Sequence, residues 1–324
     1  MKDRLKSIDV LRAIAILTIV LCHYFEDGPL HSCINLGFYL GNVGNALFFS
    51  ISALLYGLKF AKQDYRPFVF KDFLRKRIEI IFVPLWIFLL VLIPFCIRTG
   101  FMPIDITTVI YNLVGLCWFK PLQYAGHLWF ITMILSCYGV FYIISNIKRT
   151  LSLVLLWIGV IILLLMLIFF EQFNSVSKSL PIVCLLYSTC LFINAKSFVE
   201  FSKEICTKCI IAFSILVSLL TLLIFIYLDW QSYMIYAIVI ASITALSIIA
   251  LSINCSQKID ILYPYLKEIS SLSYYIYLVH LPLERPIYVN VESPIIQIVL
   301  LFTLSIIFAK LLKYLTVKII SWVV

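Results

Sequence analysis

Two ionisable side chains, Arg12 and His23, lie within an otherwise apolar run that begins at Ile8. They are 11 residues apart, which on an α-helix is three full turns plus about 20°. They therefore share one helix face and lie about 16 Å apart along the axis. An ionisable group at mid-membrane costs roughly 2.5–3.5 kcal/mol on insertion scales, so it usually faces the protein interior or a wet cavity. The pair predicts a polar track that runs into the bilayer.

Arg12 and His23 can each be interpreted as a functional residue or as a purely structural one. A neutral imidazole at His23 is suited to take the proton of a hydroxyl nucleophile near neutral pH. The alternative is an interfacial histidine that bonds a neighbouring carbonyl. The planar guanidinium of Arg12 suits a phosphate or carboxylate, and Asp9, three residues earlier, is its alternative partner on the helix surface.

A dense basic group, Arg75, Lys76 and Arg77, precedes an apolar segment that contains Pro84. Basic residues before a span ordinarily set topology and bind anionic lipid heads. The functional alternative is a cytoplasmic clamp for the phosphates of a co-substrate. The sequence leaves both interpretations open.

Two further stretches carry polar groups at the ends of apolar segments. His127 and Trp129 begin one of them, at about the membrane level of His23, so the two histidines could line one outward cavity. Ser273, Tyr277 and His280 are spaced by four and three residues, which places them on one helix face. A polar stripe of this kind either supports a substrate site or joins helices in lipid.

Composition indicates which elements must position these residues. Hydrophobic residues make up 63% of the 324 residues, charged residues 13%, and the mean hydropathy is +1.08. Soluble domains carry about 25% charged residues, so most of this chain must lie in lipid. The net charge of +9 does not indicate nucleic-acid binding, because the basic residues cluster at span ends. The ten cysteines show no paired metal-ligand spacing, and we expect no metal.

The pattern predicts an all-α, polytopic bundle of about ten transmembrane helices, forming a single domain over residues 1–324. With the N-terminus in the cytoplasm, about 20 of the 25 lysines and arginines fall inside, which also places the C-terminus inside. Residues 104–119 are predicted to form an interfacial or re-entrant segment. The predicted spans are Ile8–Tyr24, Val43–Phe60, Ile78–Ile97, His127–Ser145, Leu151–Phe170, Leu180–Ala195, Cys209–Leu228, Tyr233–Asn254, Ile269–Tyr288 and Pro294–Leu315.

Together these stretches resemble the acyltransferase 3 family of integral membrane proteins. Arg12 and His23 match the family's arginine-x10-histidine signature, and Arg75-Lys76-Arg77 with Pro84 resembles its basic motif before the third span. Residues 48–53 resemble the second-span motif, although Ala53 stands where a glycine is usual. His127 to Phe130 and Ser273 to His280 resemble two later motifs. We expect no appended hydrolase-like domain, which some members of the family carry.

The resemblance implies transfer of an acyl group, commonly acetyl, from cytoplasmic acyl-CoA to a cell-surface or lipid-linked glycan. It implies acyl-CoA as a co-substrate with no tightly bound cofactor, a glycan and membrane lipids as partners, no nucleic acid, and a bacterial cytoplasmic membrane. His23, with Arg12, would be catalytic, and Arg75, Lys76 and Arg77 would hold the CoA phosphates. His23 would act either as a base or as a carrier of the acyl group. The rival interpretation is a transporter or flippase for a lipid-linked sugar.

Overall fold

The computed structural model describes residues 6–99, 104–148, 150–152, 154–155, 157–159, 176–227 and 234–323. Throughout these ranges the regular structure is helical, which confirms the all-α prediction. The predicted span Leu151–Phe170 falls mostly outside the described residues.

Eleven α-helices of eight or more residues are described. They are α1 (Lys6–Asp27), α2 (Ile34–Lys62), α3 (Phe70–Arg77), α4 (Val83–Thr99), α5 (Ile106–Leu113), α6 (Trp129–Ser145), α7 (Val176–Glu204), α8 (Thr207–Tyr227), α9 (Met234–Asn254), α10 (Tyr263–Asn290) and α11 (Pro294–Val323). A π-helical segment, Ile78–Phe82, joins α3 to α4, and the single turn Ser256–Ile259 and the short 3-10 helix Asp260–Leu262 join α9 to α10.

Seven helical stretches of the described chain are long and apolar enough to cross a membrane. A further pair, residues 238–254 and 256–290, passes the same test together but is bent by 89° between its two parts. The membrane bundle is therefore confirmed. The count of ten spans and the cytoplasmic position of both termini stay predictions.

Close approach of α1 and α2 depends on three glycines of α2. A Cβ atom added to Gly41 would lie 2.5 Å from the sulfur of Cys22, and one added to Gly44 would lie 2.5 Å from Thr18 Oγ1. A Cβ atom added to Gly37 would lie 2.9 Å from Phe25 Cβ and 3.1 Å from the carbonyl oxygen of Cys22. Small residues let membrane helices approach closely enough for their backbones to pack. Because later residues of α2 meet earlier residues of α1, the two helices are antiparallel.

The opposite end of α2 packs against α7 through Gly57. A Cβ atom there would lie 2.3 Å from the carbonyl oxygen of Phe192 and 2.5 Å from Ala195 Cβ. We expect Gly57→Ala to lower the free energy of unfolding by about 1–3 kcal/mol, because the backbone of α7 must move. Thermal unfolding in detergent or nanodiscs measures this. Gly139→Ala is the matched control, since its Cβ would meet nothing within 4 Å. Equal stability of the two variants would contradict this account of the α2–α7 contact.

A π-helical segment lies between the basic motif and the third predicted span, and it changes the directions in which neighbouring side chains point. Pro84 follows it, and proline removes a backbone donor and disfavours the regular α-helical turn before it. The hydroxyl of Tyr274 on α10 donates to the carbonyl of Ile81 within this segment at 3.0 Å. Wider turns of this kind occur mostly as single-turn bulges inside α-helices, frequently at functional sites. The consequence here is that Arg77 points inward while its basic neighbours stay exposed.

The stretch predicted as interfacial or re-entrant contains only the short helix α5. Asp105 caps this helix by accepting from the amide of Thr108 at 2.7 Å, and it also accepts from Lys120 at 3.0 Å. The hydrogen bonds from Thr108 and Lys120 hold the pKa of the Asp105 carboxyl well below its usual value. Buried Asn112 donates to the carbonyl of Lys120 at 2.7 Å and closes the loop that brings Trp118 to the cavity described next.

Candidate active site

A cavity of about 630 Å³ opens at one end of the bundle. It is lined by α1, α2, α6, α7, α9 and α10, together with the loop that carries Trp118 and the short 3-10 helix Gly126–Leu128. Its walls are mainly aromatic and aliphatic, with a few polar groups. The size and lining are those of a small-molecule site, in which a few polar groups set orientation.

His23 lines this cavity and is held by Glu26, one turn further along α1. The Nδ1 atom of His23 lies 3.2 Å from Glu26 Oε2. A carboxylate oxygen accepts a hydrogen bond, so Nδ1 carries the ring proton. Nε2 of the neutral ring then has a free lone pair. Glu26 thereby fixes the tautomer of His23 and would stabilise the ring after it takes up a proton. This is the arrangement of a general base with an orienting carboxylate.

His127 and His280 pack against His23, so three of the four histidines in the chain meet. The ring centroids of His23 and His280 are 5.3 Å apart, those of His127 and His280 4.9 Å, and those of His23 and His127 6.4 Å. His280 is fully buried, and its Nδ1 donates to the carbonyl of Tyr277 at 2.9 Å. Tyr277 in turn donates from its hydroxyl to the carbonyl of His127. The Tyr277–His127 hydrogen bond and the packing of the His127 and His280 rings join α10 to the 3-10 helix beside His23.

A second cavity, of about 470 Å³, contains the basic motif. Arg77 is only 5% exposed, and its guanidinium carbon lies 4.0 Å from the ring centroid of Tyr138 and 4.4 Å from those of Tyr56 and Phe73. Its Nε and Nη2 atoms are buried and hydrogen-bond to no described residue. Aromatic faces attract the cation, but they do not satisfy its N–H donors, which suits the site to an anion.

The other two basic residues of the motif also line this second cavity but differ in setting. Arg75 is largely exposed and donates from Nε to Glu79 at 2.6 Å. Lys76 is exposed, and Lys59 of α2 lies on the same wall. Of the three predicted donor-binding residues, Arg77 is therefore the one whose charge is buried without an ion pair to a described carboxylate.

Comparison with known protein families shows which class of protein contains these two cavities. A family model described as an acyltransferase domain, Acyl_transf_3, matches residues 5–314. The chain belongs to the acyltransferase 3 family. No curated protein and no solved structure matched. Membership makes the chain a membrane acyltransferase, whose donor, acceptor and catalytic groups must be argued from this chain's own residues.

In this acyltransferase the two cavities lie toward opposite ends of the bundle. The histidine cavity contacts α2 from Phe38 to Phe49, and the Arg77 cavity contacts it from Tyr56 onward. Phe49 and Tyr56 are seven residues apart, or about 10.5 Å along the axis. The layer between the cavities contains Tyr138, whose hydroxyl lies 3.5 Å from Ser52 Oγ.

The remaining predicted residues of the acyltransferase differ in whether they reach a cavity wall. Arg12 donates to buried Asp9 at 3.1 Å and is not among the residues that line the histidine cavity. Trp129 lines that cavity, and Ser273 is buried on α10. The described residues form no group of His, Cys, Asp or Glu that could hold a metal ion.

Glu26 and the aromatic cage around Arg77, which consists of Tyr56, Phe73 and Tyr138, were not predicted from the sequence. Glu26 was recognisable, because a carboxylate three residues after a histidine lies beside it on a helix. The cage was not recognisable, because Tyr56 and Tyr138 come from helices far apart in the chain and no local pattern joins them.

Proposed function

We propose that this acyltransferase moves an acyl group, with acetyl as the first candidate, from cytoplasmic acyl-CoA to a hydroxyl of a cell-surface or lipid-linked glycan. The observation that carries the proposal is the His23–Glu26 pair on the wall of a substrate-sized cavity. An imidazole with one nitrogen fixed by a carboxylate and the other unprotonated is a general base for a hydroxyl.

The Arg77 cavity is the proposed donor site. The phosphates of CoA are multiply charged anions, and a guanidinium offers them a planar set of donors. Arg77 presents buried N–H groups, and Lys59 and Lys76 add positive charge on the same wall. From there the thin pantetheine arm would pass Tyr138 and Ser52 toward His23. The positive-inside pattern of the sequence supports a cytoplasmic position for this end of the bundle.

The proposed reaction is a direct transfer. His23 Nε2 takes the proton of the acceptor hydroxyl while that oxygen bonds to the thioester carbon. The carbon–sulfur bond then breaks, and His23 returns the proton to the CoA thiolate. The products are the acyl ester and CoA thiol, and Glu26 stabilises the imidazolium between the two proton transfers. A covalent acyl-histidine is not required.

The test is consumption of acetyl-CoA by purified protein in lipid nanodiscs. Free CoA is quantified by mass spectrometry, because the ten cysteines of the chain would react with a thiol reagent. Saturable CoA release that requires His23 supports the proposal, even when water is the acceptor. Well-folded protein that neither binds nor consumes acetyl-CoA would contradict an acetyl-CoA-dependent reaction and favour the transporter alternative.

A further inference from the structure

Two cysteines outside both cavities form a Cys-x-x-Cys pair at the start of α8. Cys206 directly precedes this helix, Cys209 lies in its first turn, and both side chains are exposed. The carbonyl of Cys206 accepts from the amide of Ile210 at 3.0 Å, which makes Cys206 the N-cap residue of a helix of 21 residues. Side chains three residues apart are neighbours on a helix surface. The pair is therefore an accessible dithiol rather than two isolated thiols.

The sulfur of Cys206 takes the place that an oxygen ordinarily has in an N-cap residue. The backbone amides of Cys209 and Lys208, in the first turn of α8, hydrogen-bond to this sulfur, and the Cys209 thiol donates to it as well. Amide donors and the positive end of the helix dipole favour a thiolate over a thiol. These hydrogen bonds lower the pKa of the Cys206 thiol below its ordinary value. Cys206 is therefore the member of the pair that forms the reactive thiolate.

The turn before α8 is held in place by the end of α9. The amide nitrogen of Asn254 donates to the carbonyls of Ser202 and Ile205, each at 3.0 Å. The side-chain oxygen of Asn254 accepts from Thr207 Oγ1 at 2.8 Å. None of these three hydrogen bonds involves a thiol of the pair. Because the two cysteines are already neighbours on the helix surface, we expect a disulfide between them to close mainly by rotation of their side chains.

The pair lies toward the Arg77 end of the bundle. Tyr187 of α7 lines the histidine cavity, and further along the helix Phe192 meets Gly57 of α2. The helix continues in this direction to Glu204, just before the pair. The positive-inside pattern predicts the cytoplasmic side for this end. Cytosolic thiols are kept reduced by the glutathione and thioredoxin systems, and disulfides there are usually transient. A small soluble disulfide is therefore the reaction partner that such a pair meets.

We propose that Cys206 and Cys209 form a redox-active dithiol that exchanges with small soluble disulfides, with Cys206 as the attacking thiol and Cys209 as the resolving thiol. This inference is independent of the proposed function. Within the described chain the pair belongs to no group of three His, Cys, Asp or Glu residues that could hold a metal ion, which favours dithiol chemistry over a metal site.

The exchange proceeds in two displacements at sulfur. The Cys206 thiolate attacks one sulfur of the disulfide RSSR, and one RS⁻ leaves and takes up a proton. The Cys209 thiol then loses its proton, and its sulfur bonds to that of Cys206 while the second RS⁻ leaves and is protonated. Two protein thiols are thus oxidised to one disulfide, and RSSR is reduced to two RSH.

The experiment exposes the full-length protein in nanodiscs to glutathione disulfide in the absence of oxygen. Samples taken over time are quenched with acid, their free thiols are alkylated, and their tryptic peptides are identified by mass spectrometry. Cleavage after Lys208 separates the two cysteines, so a disulfide between them appears as a linked pair of peptides. We expect this linked pair in the wild type, with no glutathione retained on either sulfur. Excess reduced glutathione should restore both thiols.

Two serine variants separate the attacking thiol from the resolving one. Cys209→Ser should accumulate a stable mixed disulfide between glutathione and Cys206. Cys206→Ser is the matched variant, because serine is a preferred N-cap residue and keeps the start of α8 capped. We expect glutathione to attach to Cys206 in the first variant at least roughly tenfold faster than to Cys209 in the second. Thermal unfolding checks that both variants remain folded.

Cys255 is the internal reference within the wild-type protein. It precedes the single turn Ser256–Ile259 and makes no capping hydrogen bond through its side chain. Equal rates of glutathione attachment at Cys206 and Cys255 would overturn the inference, as would a Cys206 thiol that stays reduced. Glutathione that persists on Cys206 of the wild type would also overturn it, as would a disulfide that joins Cys206 to a cysteine other than Cys209.

Discussion

His23→Ala is expected to lower acetyl-CoA consumption by at least roughly a hundredfold, because a positioned general base contributes about 10²–10⁴ in rate. The variant should still bind acetyl-CoA with little change in Kd, since the proposed phosphate site lies at the other end of the bundle. The measurement combines steady-state CoA release with equilibrium binding of labelled acetyl-CoA in nanodiscs. Loss of turnover with binding retained would assign His23 to the chemical step.

The control for this variant is Tyr265→Ala, which removes an exposed aromatic side chain that lines neither the histidine cavity nor the Arg77 cavity. It should retain near wild-type turnover. A thermal-unfolding curve for each variant checks that the bundle remains folded, as expected because His23 is partly exposed at the cavity wall. Near-normal turnover in His23→Ala would show that another group takes the hydroxyl proton.

Arg77→Met is expected to weaken the binding of acetyl-CoA without lowering the stability of the free protein. Truncating one partner of a buried charge pair costs about 2 kcal/mol or more, which corresponds to roughly a thirtyfold or larger rise in Kd for acetyl-CoA. Without bound donor, however, Arg77 is a buried charge that forms no ion pair with a described carboxylate, and cation–π contacts with its aromatic neighbours offset part of the desolvation cost. Methionine of similar volume should therefore leave the unfolding temperature of the free protein unchanged or raised.

The matched control is Arg75→Met in the same motif. Arg75 is exposed and paired with Glu79, so its removal should change the Kd for acetyl-CoA only a few-fold. Excess acetyl-CoA should raise the unfolding temperature of the wild type and of Arg75→Met but not of Arg77→Met, because ligand binding stabilises only a protein that binds it. Equal loss of donor affinity in both variants would mean that the motif acts through overall charge rather than through the Arg77 cage.

The membrane character and the approximate helix positions were predictable from the sequence, because long apolar runs have few alternatives in a bilayer. Helix periodicity placed Arg12 and His23 on one face and Tyr277 and His280 on another. It did not show that Arg12 would be absent from the lining of the histidine cavity, where its side chain instead pairs with Asp9.

The features that the sequence did not predict depend on packing between residues far apart in the chain. That His127 would meet His280 depends on how α10 docks against the 3-10 helix, a contact between residues about 150 positions apart. Arg75 is exposed and Arg77 is buried because a π-helical segment follows them in the chain. No periodic pattern in the sequence predicts that segment. The predicted spans at Tyr233–Asn254 and Ile269–Tyr288 correspond to α9 and α10, and the bend of 89° between them was not predicted from the sequence.

The central claim is that a donor bound at the Arg77 end reacts with an acceptor in the cavity at the other end. Sealed proteoliposomes test it when membrane-impermeant acetyl-CoA is supplied only outside and methyl glucopyranoside is trapped only inside. The account predicts acetylated glucoside in the lumen, formed by wild-type protein and by neither His23→Ala nor Arg77→Met. Acetylated glucoside that forms only when donor and sugar share one compartment would contradict it.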